Sequence, residues 1–271
     1  MTKGRFCILA CPMLEDEIVF SISHDDESRR LIVIDDINSK TIREKLEKKG
    51  IEFESVDEFD FMNDYLNIDP DELTIIIRMN TMGLHSEPKK LKDYIQEELV
   101  MMQGCVDVVG LYYGMCGNFG WDVTKWAESN LDYPVYVFRD EKGRVCDDCV
   151  GVAVGGLEGY QRLLKNYTGM LLLTPAVSTN WEDFLIAGQG GFKVMQSSGD
   201  PMKDMKDLLL MCGYNSAVKI DTGLGDKEQF DKASKELTDY LGFKLYEAPP
   251  DFVDRGPMNR LYRQCKDHLA G

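Results

Sequence analysis

The sequence predicts an α/β protein built on a mostly parallel sheet with helices on both faces. Three observations lead there. Short, near-continuous apolar runs recur along the chain, as strands buried on both faces require. Helical patterns separate them, which is the alternation of a parallel-sheet architecture. No low-complexity linker or internal repeat divides the 271 residues. Residues 1–271 are therefore read as a single α/β domain, with ample surface to bury. A two-lobed form with a cleft between halves fits the same alternation.

The elements follow in order. "RFCILAC" reads as a buried strand and "DEIVFSISHD" as the start of a helix. "RRLIVIDD" is a strand by its β-branched density. "SKTIREKLEKKG" is a helix, with Ser39 as N-cap and Gly50 just past its end. "IEFESV" is a short strand and "DELTIIIRMN" a strong one. The acidic stretch between them is an excursion rather than a boundary. "EPKKLKDYIQEELVMMQG" is a helix with Pro88 in its first turn. "VDVVGLYYG", "YPVYVFRD", "MLLLTPAV", "NSAVKIDTG" and "FKLYEAP" continue as strands. Helices over "DVTKWAESN", "GGLEGYQRLLKNYTG", "DPMKDMKDLLLMCG" and "KEQFDKASKELTDYLG" alternate with them, and "NRLYRQCKDHLAG" closes the chain as a helix.

The formal net charge of −16 argues against nucleic-acid partners, which need a basic face, and against anionic membrane surfaces. No apolar run is long enough to span a bilayer. "FCILACPML" is followed by acidic residues rather than a small-residue cleavage site, so the expected compartment is the cytoplasm. There, eight cysteines are not a disulfide framework. Cys7, Cys105, Cys212 and Cys265 carry no motif and read as structural residues.

The remaining cysteines fall where ligands bind in such folds, after the strands. Cys11 follows "RFCILA", Cys116 follows "VDVVGLYYG", and Cys146 and Cys149 follow "YPVYVFRD". His85 follows "LTIIIRMN", and Trp181 follows "MLLLTPAV". In a parallel sheet these loops share one edge. Thiolate and imidazole are the usual ligands of zinc, and thiolates hold iron–sulfur clusters. Gly114 and Gly117, flanking Cys116, permit close backbone approach. The CxxC spacing of Cys146 and Cys149 serves a metal, a dithiol redox centre or plain packing equally. His85 reads as a ligand, a proton donor or a hydrogen-bonded structural residue. "GVAVGGLEG" lacks the spacing of a dinucleotide fingerprint, and "DTGLGD" lacks a phosphate-loop lysine.

"ILACPMLEDEI", "LHSEPKKL", "YYGMCGN", "DDCVGVAVGGLEGY" and "GMLLLTPAVSTNW", in this order, resemble a family of uncharacterised prokaryotic proteins known as a domain of unknown function. Its members are common in methanogenic archaea and anaerobic bacteria, often encoded beside corrinoid-dependent methyltransferases. The resemblance spans about residues 5–190, leaving an α/β extension over about 191–271. It implies functional roles for Cys11, His85, Cys116, Cys149 and the Thr174–Pro175 pair followed by Trp181. Where the family often has histidine before its aspartate–cysteine pair, this chain has Asp147, with Cys146 one step earlier. The resulting expectation is a cytoplasmic protein serving corrinoid-linked methyl transfer. Cys11, His85, Cys116, Cys146 and Cys149 would hold zinc, an iron–sulfur cluster or a corrinoid cobalt. Gly114, Gly117 and Trp181 would line the cofactor, and a corrinoid protein or methyltransferase would be the partner. The alternatives are a CxxC redox enzyme and a cofactor-handling module.

Overall fold

In the computed structural model the chain forms two parallel sheets flanked by helices. The structure describes residues 2–64, 68–82, 84, 87–118, 120–187 and 198–271. The first sheet contains β1 (Gly4–Ala10), β2 (Arg30–Asp35), β3 (Glu54–Asp57), β4 (Leu73–Met79), β5 (Val108–Tyr112) and β6 (Val135–Val137). Its strand order is β3-β2-β4-β1-β5-β6, with every pairing parallel. The second contains β7 (Leu171–Leu173), β8 (Ser216–Lys219) and β9 (Lys244–Glu247), also parallel and in that order.

The helices in the first half are α1 (Glu15–Ser23), α2 (Lys40–Lys48), α3 (Glu58–Asp64), α4 (Pro88–Met101), α5 (Met115–Asn118) and α6 (Val123–Asn130). Those in the second are α7 (Cys149–Ala153), α8 (Leu157–Asn166), α9 (Pro175–Thr179), α10 (Trp181–Ala187), α11 (Pro201–Met211), α12 (Lys227–Leu241) and α13 (Gly256–Ala270). The chain enters α1 through a short 3-10 turn at Pro12–Leu14.

The first sheet is covered on both faces. On one, Ile18 and Ile22 of α1, Ile42 and Leu46 of α2, and Leu261 and Cys265 of α13 pack on Phe6, Ile8, Val33, Ile75 and Ile77. On the other, Leu91, Ile95 and Leu99 of α4 and Val123 and Ala127 of α6 pack on Cys7, Leu9, Ile76, Val109 and Leu111. Burial on both sides explains why these strands read as continuous apolar runs rather than alternating ones.

The strand order creates a switch point. From β1 the chain moves past β4 to β2, through α1 on the first face. From β4 it moves back past β1 to β5, through α4 on the second face. Right-handed crossovers force helices reached in opposite directions onto opposite faces. The chain therefore diverges at the carboxyl end of β1, which opens the crevice where ligands bind in this class of fold.

The expected α/β class with parallel strands and helices on both faces stands. The strands, however, divide between two sheets. A three-residue apolar run such as β7 reads the same in either. The short helices α3, α5, α7, α9 and α10 were not expected as separate elements; at four to seven residues they show barely two turns of periodicity. Ser39 stands before α2, but its side chain does not cap it. The hydroxyl donates instead to the Asp36 carbonyl at 3.0 Å, and the Asp36 carboxylate accepts from the Ser39 N–H at 2.9 Å. Gly50 has the expected left-handed backbone, φ 67°.

Candidate functional site

Three distant segments meet at the carboxyl end of β1. Cys11 ends that strand, its N–H donating to the Tyr112 carbonyl of β5 at 3.2 Å. Cys116 lies in α5, immediately beyond β5. Cys149 opens α7, where the Asp148 carboxylate caps the helix by accepting from the Gly151 N–H at 2.8 Å and from the Tyr160 hydroxyl at 3.1 Å. The segments are tied by backbone: the Met115 N–H donates to the carbonyls of Cys146 at 2.9 Å and Asp147 at 2.7 Å. Gly114 makes this approach possible, because a Cβ there would stand 2.6 Å from the Asp147 oxygen and the Asp148 Cα. Cys11 and Cys149 also pack against the cluster of Met13, Ala176 and Val177, which brings α9 of the second half to this edge.

The thiols are close enough to influence one another electrostatically: Cys116 acts on Cys11, and both act on Cys149. Burial pushes the Cys11 thiol up to about 12. Burial and then the Asp148 charge push Cys149 well above the usual thiol range. Position at the start of a helix favours thiolate, but α7 has only five residues and desolvation wins. Burial thus disfavours the thiolate forms of Cys11 and Cys149.

The expected metal site is overturned. Among the described residues no group of three or more His, Cys, Asp or Glu side chains is placed to hold a metal ion. Zinc, an iron–sulfur cluster and a corrinoid cobalt held by Cys11, Cys116, Cys146 and Cys149 fall together with it. The physical reason lies in placement: Cys146 is withdrawn into the core. Its N–H donates to the Phe138 carbonyl at 3.0 Å, and its side chain is fully buried in the core against α1 and α13. For the dithiol redox alternative the surroundings of Cys146 are unfavourable. Burial and then the Asp140 charge push Cys146 up to about 12, the reverse of the lowered pKa that such chemistry needs. His85 lies outside the described residues. Gly117 is in α5. Trp181 is the first residue of α10, packed against the same cluster as Cys11 and Cys149, its ring 5.5 Å from that of Tyr240.

Sequence reading passed over the polar groups around this edge. Glu15, Asp16 and Glu17, the first turn of α1, are all buried. Lys45 of α2 bridges Glu15 at 3.2 Å and Asp16 at 2.8 Å, and among the described residues no ion pair to Glu17 is seen. One Glu17 carboxyl oxygen is buried and has no hydrogen-bond partner among the described residues. The Ser21 and Tyr112 side chains lie against each other, and the Tyr113 hydroxyl lies close to Asn80, Cys11 and Cys116. Adjacent phenols on β5 alternate faces. Tyr112 therefore looks toward α1, and Tyr113 toward α4.

Burial and then the Asp16 charge push Glu17 up to about 8, from 4.5 for a free carboxyl. Burial pushes Glu15 up to about 7 despite Lys45. The folded state then holds protons that the unfolded state has released. Stability is full below about pH 4.5 and is lost as pH rises, through about 7 for Glu15 and about 8 for Glu17. Glu17→Gln should therefore raise stability at pH 7 by about 3 kcal/mol and flatten its decline between pH 5 and 8. Urea unfolding of both proteins across that range measures it. A gain no larger at pH 7 than at pH 5 would contradict a buried neutral acid.

Fold and site together define an α/β protein in which thiols and buried carboxyl groups gather at the carboxyl end of β1. Residues 79–253, well over half the chain, match the family described as "Protein of unknown function (DUF1638)", and the chain belongs to that family. Cys116, Cys146 and Cys149 fall inside the matched stretch; Cys11 and Glu17 fall before it. No curated protein and no solved structure matches the chain. Among the described residues no helix is long and apolar enough to cross a membrane.

Proposed function

We propose that the chain binds a small organic molecule at the carboxyl end of β1 and presents the Cys149 thiol to it. One observation carries this reading: Cys11, Cys116 and Cys149, from three distant segments, come within electrostatic reach of one another at the switch point. Cys11 and Cys149, which are half-buried, lie among Met13, Met82, Ala176 and Val177. A sulfur-rich, apolar lining of this kind adapts to a flat or irregular guest.

A short, rigid bis-maleimide built on a phenylene ring tests both convergence and access. Each maleimide adds one thiol across its double bond, so a bridged product has two cysteines joined through one reagent molecule. The expected product joins two of Cys11, Cys116 and Cys149, and peptide mapping identifies the pair. Single-ended adducts alone, or bridges to Cys212, would remove the site from this edge.

The biological setting rests on the resemblance alone, which supports a corrinoid protein or methyltransferase as partner in a methanogen or anaerobic bacterium. Co-purification with such a protein tests it. Cytoplasmic residence is supported by eight cysteines with no disulfide shown among the described residues.

A further inference from the structure

We propose that Asp148 sets both the reactivity of Cys149 and the charge of what it meets: its carboxylate, fixed beside the thiol, disfavours thiolate in the ligand-free protein and selects ligands that carry a positive charge. This rests on the reading of Cys149 as the group presented to the ligand.

One peptide bond joins Asp148 to Cys149 where α7 begins, and the Asp148 side chain is held at both oxygens. One accepts from the Gly151 N–H at 2.8 Å, which folds the side chain over the first turn that Cys149 opens. The other accepts from the Tyr160 hydroxyl of α8 at 3.1 Å. The main chain is held as well. The Met115 N–H donates to the neighbouring Asp147 carbonyl at 2.7 Å, and the bare Cα of Gly114 lets the Asp148 Cα approach closely. Both partners of the carboxylate are neutral donors, so they fix its negative charge without cancelling it. Among the described residues no ion pair to Asp148 is seen. A carboxylate partly withdrawn from water is normally matched by a cation; a positively charged ligand group supplies the match.

The effect on sulfur follows from the same placement. After burial, Asp148 acts on the Cys149 thiol more strongly than Cys11, Cys116 or Glu17, and all four oppose its ionisation. A cation seated against Asp148 offsets the largest of these charges. The thiol proton then leaves to water and the electron pair stays on sulfur. Binding of a cationic ligand and release of the thiolate are thereby coupled. Asp148 is a positioning residue in this scheme, acting through Cys149 and on the ligand's charge.

The test uses three small methanethiosulfonates, one neutral, one cationic and one anionic, with modification of each cysteine followed by peptide mass spectrometry. The thiolate attacks the thiosulfonate's divalent sulfur, a disulfide forms, and methanesulfinate leaves with the electron pair of the broken sulfur–sulfur bond. Asp148→Asn removes the charge and keeps the helix cap, because Asn caps about as well as Asp. At pH 8 the neutral reagent should modify Cys149 about three- to tenfold faster in Asp148→Asn than in the wild type. A gain in thiolate of one to two decades, roughly halved on the logarithmic scale by the lower nucleophilicity of a more acidic thiol, gives that range. In the wild type the cationic reagent should outpace the anionic one by a wider margin at Cys149 than at the exposed Cys212. In Asp148→Asn the two margins should become equal. Asp147→Asn, which removes an exposed charge one residue earlier, should leave both readouts near wild type. An unchanged neutral-reagent rate in Asp148→Asn, a cation preference at Cys149 no wider than at Cys212, or an equal response in Asp147→Asn overturns the proposal. None of these results alters bis-maleimide bridging in the wild type, so failure of the charge control is distinguishable from failure of the site.

Discussion

Replacing Arg78 by alanine is expected to cost about 3–5 kcal/mol of stability. Arg78 lies within β4 and is 6% exposed. Its guanidinium grips the Glu98 carboxylate of α4 through two hydrogen bonds of 2.9 and 3.0 Å. It also reaches Glu58 of α3 at 2.5 Å and Asp36 at 3.5 Å. One cation thus holds three carboxylates, from two helices and the loop after β2. Alanine would leave Glu98, itself 6% exposed, as an uncompensated buried charge, which is worse than having no pair at all. The paired change Arg78→Met with Glu98→Leu should recover most of the loss. Urea midpoints of the single and double variants decide. A single-variant cost below about 1 kcal/mol would show that water reaches Glu98 and that the pair behaves like a surface bridge.

Gly114→Ala should cost about 3 kcal/mol and disperse the thiols. The added methyl group would meet main-chain atoms of Asp147 and Asp148 at 2.6–2.7 Å. Backbone cannot rotate aside as a flexible side chain can. The segment ahead of α7 would therefore have to retreat, breaking the two hydrogen bonds from Met115 that hold it against α5. Cys149 would move with it. The joint readout is a lowered unfolding midpoint and loss of bis-maleimide bridges to Cys149. Full stability with bridging retained would mean that the approach of the two segments is looser than these distances imply.

Most of the strand and helix sequence was legible, because burial on both faces writes a strand as an unbroken apolar run and a helix as a 3.6-residue rhythm. "LTIIIRM" and "KEQFDKASKELTDYL" are clear cases. The division into two sheets was not legible, since pairing partners leave no mark on a run as short as "LLL". At the site, the positions of Cys11 and Cys116 beyond β1 and β5 were legible from loop placement alone. The different surroundings of Cys146 and Cys149 were not: CxxC spacing is silent on whether a helix begins between its members, and Asp148 starts one there. Glu17 was missed although a signal existed. Three consecutive helical residues sweep about 200°, so the run Glu15–Asp16–Glu17 could not point wholly to solvent on a helix that buries Ile18 and Ile22.

Helix α13 returns to the face of the first sheet after the whole second sheet has been built, and Lys266 reaches back to Asp25 at 2.7 Å. During synthesis, residues such as Phe6 and Ile8 therefore wait for a cover made by the 15-residue helix α13. Contacts between segments this far apart in sequence are entropically late, and a chain whose α13 has not yet docked exposes that apolar face. Removing α13 should not merely shorten the protein. It should leave a sticky, half-sealed sheet that depends on chaperones, with the crevice at the end of β1 never brought to its final shape.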